Sequence, residues 1–133
     1  MIGAVADTHA LIWYLLDSPQ LSAPALERFE KCRLEGIRVG VSSISIVEII
    51  YLVEKDRIPS ATVPLLVESL SEPPTLLEIV SFSETIAWAV QQVPREQVPD
   101  LPDRIIAATA QYLDVPLITR DRKIVLSDVE TVW

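Results

Sequence analysis

The chain has 133 residues, 50% of them hydrophobic and 23% charged, with a mean hydropathy of +0.33. That composition excludes intrinsic disorder and fits a single domain, 1–133, with a sizeable core. The net charge of -8 excludes a broad basic surface that coats nucleic acid, although not an enzyme that meets phosphates through a bound metal.

In chain order, 2–6 is a short apolar run closed by Asp7-Thr8, and it predicts a buried strand. A helix is predicted over 10–16, ending at Asp17-Ser18-Pro19. Ser22 caps a second helix, with Pro24 in its first turn and Gly36 just past its end. Leu26, Phe29, Cys32 and the stem of Arg33 share one face of it. A strand follows over 38–41, then a helix over 42–55. In that helix Ile46, Val47, Ile49, Ile50, Leu52 and Val53 leave almost no polar face, so it is buried or lies in an interface. A further helix is predicted over 61–70, between Pro59 and Pro73-Pro74. A strand over 76–80 and a helix over 84–92, capped by Ser83, come next. A proline-rich loop covers 94–102. A helix over 103–113, a strand over 115–118, a short helix or turn over 122–126 and an edge strand over 131–133 complete the chain. Alternating strands and helices predict an α/β fold with a mainly parallel sheet.

Scarcity narrows the chemistry. Cys32 and His9 are the sole cysteine and histidine, and there are only three glycines. Internal disulfides, two-histidine ribonuclease chemistry, P-loops and G-x-G-x-x-G fingerprints are therefore excluded. Carboxylates, at 19 Asp and Glu, are plentiful. In open α/β sheets ligands bind beyond the carboxyl ends of the strands. Asp7 follows the first strand, and Glu48 lies about one turn into the helix after the second. Asp121 follows the strand 115–118, and Asp103 opens the helix leading into that strand. Ionised carboxylates brought together repel and call for a cation, and oxygen-only donors suit Mg²⁺ or Mn²⁺. Each acid also has a purely structural reading. Ser45-Ile-Val-Glu48 matches a capping box, Asp100-Leu-Pro-Asp103 resembles one, Asp7 is placed to cap the first helix, and Asp121 fits a turn.

The segments Ala6-Asp7-Thr8-His9-Ala10-Leu11-Ile12-Trp13, Ser43-Ile-Ser-Ile-Val-Glu48-Ile, Pro102-Asp103-Arg104-Ile-Ile-Ala-Ala-Thr-Ala110 and Leu117-Ile-Thr119-Arg-Asp121-Arg resemble PIN-domain proteins. Within them the likeness is to VapC-type ribonuclease toxins with a D-T-H-x-L-x-W motif. The likeness covers essentially the whole chain, with all four motifs in order. It implies a three-layer α/β/α sandwich and Mg²⁺- or Mn²⁺-dependent endoribonuclease activity. It also implies that Asp7, Glu48, Asp103 and Asp121 form the catalytic, metal-holding site, with Asp7 and Asp103 foremost as direct ligands. Thr119, and with it Thr8, takes a supporting role orienting a carboxylate or a water. Arg104, Arg120, Arg122 and Lys123 stand near two site motifs and are candidates for RNA phosphate contacts, with a solvated face as the plainer alternative. Trp13, Tyr14 and Trp88 are candidates to stack bases, although aromatics at helical spacing usually serve the core.

The resemblance further implies that the protein acts on RNA and is restrained by a VapB-type antitoxin, and a homodimer is expected. Ile49, Ile50 and Val53 are the candidate interface residues. Competing classes are a PIN-like RNA-processing nuclease without an antitoxin, a non-catalytic interaction module and a Mg²⁺-binding receiver-like domain. The receiver wants a second acid beside Asp7, where Thr8 stands. The start of the chain lacks a basic segment before its apolar run, and no apolar stretch is long enough to span a bilayer. The expectation is a cytoplasmic protein.

Overall fold

The first apolar run forms strand β1, Ile2–Ala6. The computed structural model describes residues 1–71, 73 and 75–133, and among these β1 lies at the centre of a five-stranded sheet. The others are β2 (Arg38–Ser42), β3 (Leu77–Val80), β4 (Leu117–Ile118) and β5 (Thr131–Val132). The order is β3-β2-β1-β4-β5, with each pairing parallel. The helices are α1 (Thr8–Leu15), α2 (Ala23–Glu35), α3 (Ser43–Glu54), α4 (Thr62–Ser71), α5 (Glu84–Ala89), α6 (Leu101–Leu113) and α7 (Arg122–Val125). The stretch expected as one helix over 84–92 changes winding within its length: α5 tightens into a 3₁₀ turn, Val90–Gln92.

Alternation along the strands builds two cores. Ala4 and Ala6 of β1, with Val39 and Val41 of β2, pack against Leu11 and Ile12 of α1, Phe29 of α2, Ile49 of α3 and Leu66 of α4. Val5 and Leu117 join a second core with Ile106, Ala107 and Ala110 of α6 and Ile124 of α7. Helices thus cover both faces, giving the expected α/β/α sandwich. None of the helices among the described residues is long and apolar enough to cross a membrane.

Local chemistry sets the boundaries. Ser22 accepts a hydrogen bond from Ala25 N at 3.2 Å and starts α2. Gly36 ends it with φ of 68°, a left-handed conformation that glycine adopts without strain. The inward face of α2 differs by one residue from expectation. Ala25 is buried where Leu26 was expected, and Leu26 is largely exposed. Arg33 turns outward to pair with Glu30. Helix α4 begins after Pro59 as expected; Pro74, expected to help end it, lies outside the described residues.

Helix α3 has the expected range to within a residue at each end, and two details of it differ. It follows β2 directly, and Ser42 is its cap, accepting from Ile44 N at 3.2 Å. Ser45 therefore lies inside the helix, and the capping box that Ser45–Glu48 matches in sequence, the purely structural reading of Glu48, does not form. Ile44 packs on the second core, while Ile46, Ile49 and Leu52 pack on the first. Ile49, expected at an interface, is fully buried and belongs to the core. Val53, also expected at an interface, is half-buried, and Val47, Ile50 and Tyr51 remain 59%, 42% and 58% exposed.

Candidate active site

The chain runs outward from β1 to β2 and β3, then returns to place β4 on the other side of β1. Neighbouring connections leave the carboxyl ends of β1 and β4 in opposite directions, and a crevice opens between them. A cleft of about 340 Å³ lies there. Asp7, Glu48, Asp100, Asp103 and Asp121 all line it, so the four acids singled out in the sequence share one cleft with a fifth.

Asp7 caps α1, and Ala10 N donates to its Oδ1 at 2.8 Å. Thr119, fully buried at the end of β4, donates its hydroxyl to Asp7 Oδ2. The same hydroxyl oxygen accepts from Asp121 N at 3.0 Å. Asp121 in turn caps α7, its Oδ1 accepting from Lys123 N at 2.9 Å and Ile124 N at 3.2 Å. One threonine thus ties two acids from strands β1 and β4 into a fixed unit. Thr8 does comparable work on the other side. Its hydroxyl bonds Glu48 Oε1 and lies 3.0 Å from the hydroxyl of buried Ser45. Ser45, the supposed helix cap, is instead an anchor for Thr8.

Asp103 does not open α6. Leu101 does, and Asp100 is the cap, accepting from Asp103 N at 3.1 Å. A cap and the residue three positions on share one end of a helix, so both carboxylates reach the cleft. Asp100 was missed as a site residue because its capping role accounted for it fully. Its spacing from Asp103 was the signal.

Burial and mutual repulsion shape the charges. Asp103 is pushed up to about 8, first by burial and then by Asp100, Asp121, Glu48 and Asp7. Burial also raises Asp7, against hydrogen bonds from Thr119 and Ala10 that lower it. Glu48 is raised by burial, against its bond to Thr8. Among the described residues the ion pairs are Arg33–Glu30 and Arg38–Glu78, and neither involves a cleft acid.

The basic candidates separate. Arg120 lines the cleft, with its guanidinium 4.6 Å from the centre of the Trp13 ring. Arg104 is directed at the backbone, donating from Nε to Val93 O at 2.7 Å. Arg122 and Lys123 are exposed on α7, outside the cleft lining. His9 and Trp13 both line the cleft, with ring centres 5.6 Å apart. Tyr14 stacks on Phe29 at 4.2 Å, a core contact, and exposed Trp88 bonds Glu84 of its own helix.

The carboxylates suit a hard divalent cation: they bring oxygen donors and several negative charges to one cleft, and among the described residues no cationic side chain is paired with them. Among the described residues, no three Asp, Glu, His or Cys side chains are grouped tightly enough to enclose an ion as they stand. The cleft thus offers the charge and the donors rather than a closed cage.

An α/β/α sandwich with an acid-lined cleft where the strand order reverses defines a recognisable class. The PIN domain model matches residues 4–130, and the chain belongs to the PIN domain family. It is 28% identical over 126 residues to Ribonuclease VapC22 of Mycobacterium tuberculosis, covering 93% of this chain and 91% of that one. It also resembles solved structures of DNA-bound VapBC from Salmonella typhimurium (TM-score 0.73, 21% identity, 98% and 97% coverage) and a toxin–antitoxin complex from Klebsiella pneumoniae (TM-score 0.65, 26% identity, 98% and 97% coverage).

Proposed function

We propose that this PIN domain is a Mg²⁺- or Mn²⁺-dependent endoribonuclease and the toxin of a VapBC-type pair. The observation that carries the proposal is the convergence of Asp7, Glu48, Asp103 and Asp121 on one cleft at the switch point of the sheet, joined by Asp100 and, among the described residues, paired with no basic side chain. The relative named a ribonuclease and the toxin–antitoxin complex from Klebsiella supply the biological context.

A divalent ion, when bound, polarises a phosphodiester oxygen and makes water a competent nucleophile at neutral pH. The chain's own residues prepare for this in distinct ways. Thr119 and Ala10 N hold the two oxygens of Asp7 in one orientation, and Thr8 fixes Glu48. Asp103, without a hydrogen bond to its carboxylate among the described residues, is left to take up positive charge. Attack by water, rather than by the ribose 2′-hydroxyl, leaves a 5′-phosphate and a 3′-hydroxyl.

In this role the protein works in the cytoplasm, on RNA, under a VapB-type antitoxin. Val47, Ile50 and Tyr51 form an exposed apolar stripe on α3 suited to a homodimer contact. Purified protein incubated with RNA should cleave it with Mg²⁺ or Mn²⁺ and stop with EDTA; undiminished cleavage in EDTA would remove the metal mechanism. Ile50→Glu should yield a folded monomer by light scattering. A wild-type chain that is monomeric at high concentration would refute the dimer.

A further inference from the structure

Arg120 is the one Arg or Lys that lines the acidic cleft among the described residues. An arginine among carboxylates is expected to form a bidentate pair with one of them. Arg120 does not. Its guanidinium lies over the Trp13 ring at 4.6 Å, and among the described residues it is in no ion pair. The ring beneath it is itself held. Trp13 is buried, and Trp133, just beyond β5, packs against it with ring centres 5.8 Å apart at 58°. Trp133 thus braces Trp13, and Trp13 carries Arg120, at the mouth of the cleft.

We propose that Trp13, braced by Trp133, is a positioning residue that holds Arg120 away from the carboxylates and presents it to an RNA phosphate beside the one being cleaved. Two properties of the cleft require such a device. A guanidinium paired with Asp7 or Asp121 would neutralise the charge that draws a divalent ion. A protein of net charge -8 also needs a local cation where a polyanion enters. The indole face meets both needs, because it attracts the cation without neutralising it and leaves the N–H fork open to a ligand.

This rests on the ribonuclease activity proposed above, and the experiment separates the two. Steady-state cleavage of a short labelled single-stranded RNA is measured with Mg²⁺ for wild type, Arg120→Ala, Arg120→Lys, Trp13→Phe and the Trp13→Phe/Arg120→Ala pair. Arg120→Ala should raise KM about tenfold with kcat largely kept. The slope of log KM against log salt should fall by about 0.7, the loss of one phosphate contact on a single strand. Lysine should restore the salt slope but only part of the KM. Trp13→Phe should raise KM when Arg120 is present and have no further effect when it is absent. Equal KM and salt slope in wild type and Arg120→Ala, or additive effects of the two substitutions, would overturn the positioning role alone. Wild type that does not cleave RNA under any divalent metal would overturn the ribonuclease and, with it, this role.

Discussion

The two walls of the cleft are built on opposite terms. On the strand wall, Asp7 and Asp121 are bound into the backbone of two helix starts and joined through Thr119. On the helix wall, Asp103 stands at the first turn of α6 with only its backbone N–H engaged. The strand wall meets its electrostatic cost with donors. The donors offset only part of that cost, since burial still raises Asp7; among the described residues the helix wall has none for the Asp103 side chain, and the carboxyl of Asp103 is pushed up to about 8. The contrast separates acids that hold a shape from an acid that holds a charge in reserve.

The largest expected effect comes from removing that charge. Asp103→Asn should lower RNA cleavage by more than about 100-fold, beyond the usual cost of disturbing an outer-shell metal partner. It should leave urea unfolding at neutral pH unchanged or shifted to higher midpoint, since folding no longer has to force a proton onto a part-buried carboxyl. A destabilised variant with full activity per folded molecule would reverse the assignment of the two walls.

Thr119→Val attacks the other wall. It leaves Asp7 Oδ2 and Asp121 N without their partner, at a cost of about 1–3 kcal/mol in unfolding free energy. Activity should fall as well, because Asp7 loses its orientation. A stability equal to wild type would show that the threonine bridge is not what fixes this wall.

The pH dependence of metal-free stability sharpens the contrast further. The carboxyl of Asp103 holds its proton up to about 8 in the folded chain, from an ordinary value of 3.8. Between those limits the folded state binds more protons than the unfolded state. Stability should therefore be greatest at the acid end and decline as pH rises toward 8. Burial raises Asp7 and Glu48 in the same sense. Thermal melts in EDTA across this range should slope downward, and Asp103→Asn should flatten much of the slope. An unchanged slope in that variant would place the effect elsewhere.

The smallest effect is expected at Asp100. Asp100→Ala removes the cap of α6, worth about 1 kcal/mol, and also the first acid acting on Asp103. The melt profile should become less pH-dependent while the midpoint at neutral pH moves little. A fall in stability of several kcal/mol would mean that the cap outweighs the repulsion.

Much of this was legible in the sequence because it is local. The apolar run before Asp7, the Ser22 cap with Pro24 and Gly36, and the acids at strand ends are written in neighbouring residues. What was missed depends on contacts between distant segments or on competition between equivalent residues. Ser45-Ile-Val-Glu48 matches a capping box, yet the direct junction of β2 with α3 makes Ser42 the cap and leaves Ser45 to bond Thr8. Ala25 and Leu26 compete for one inward position, and Ala25 is the one buried in the first core. Ile49 and Ile50 read alike as apolar residues, yet one is buried in the core and the other faces outward. Asp100 was hidden behind an adequate structural role. The stacking of Arg120 on Trp13 joins segments far apart along the chain, and no periodicity announces it.

The bond between Thr119 and Asp7 spans 112 residues of sequence. Closing so long a loop carries a large entropic cost that is offset only when β4 docks beside β1. Strands β1 to β3 with α1 to α4 supply most of one core, to which β4 adds Ile118, so a partly folded chain can be compact while its cleft is still unassembled. Nuclease competence should therefore appear late in refolding, after most of the helical signal has returned.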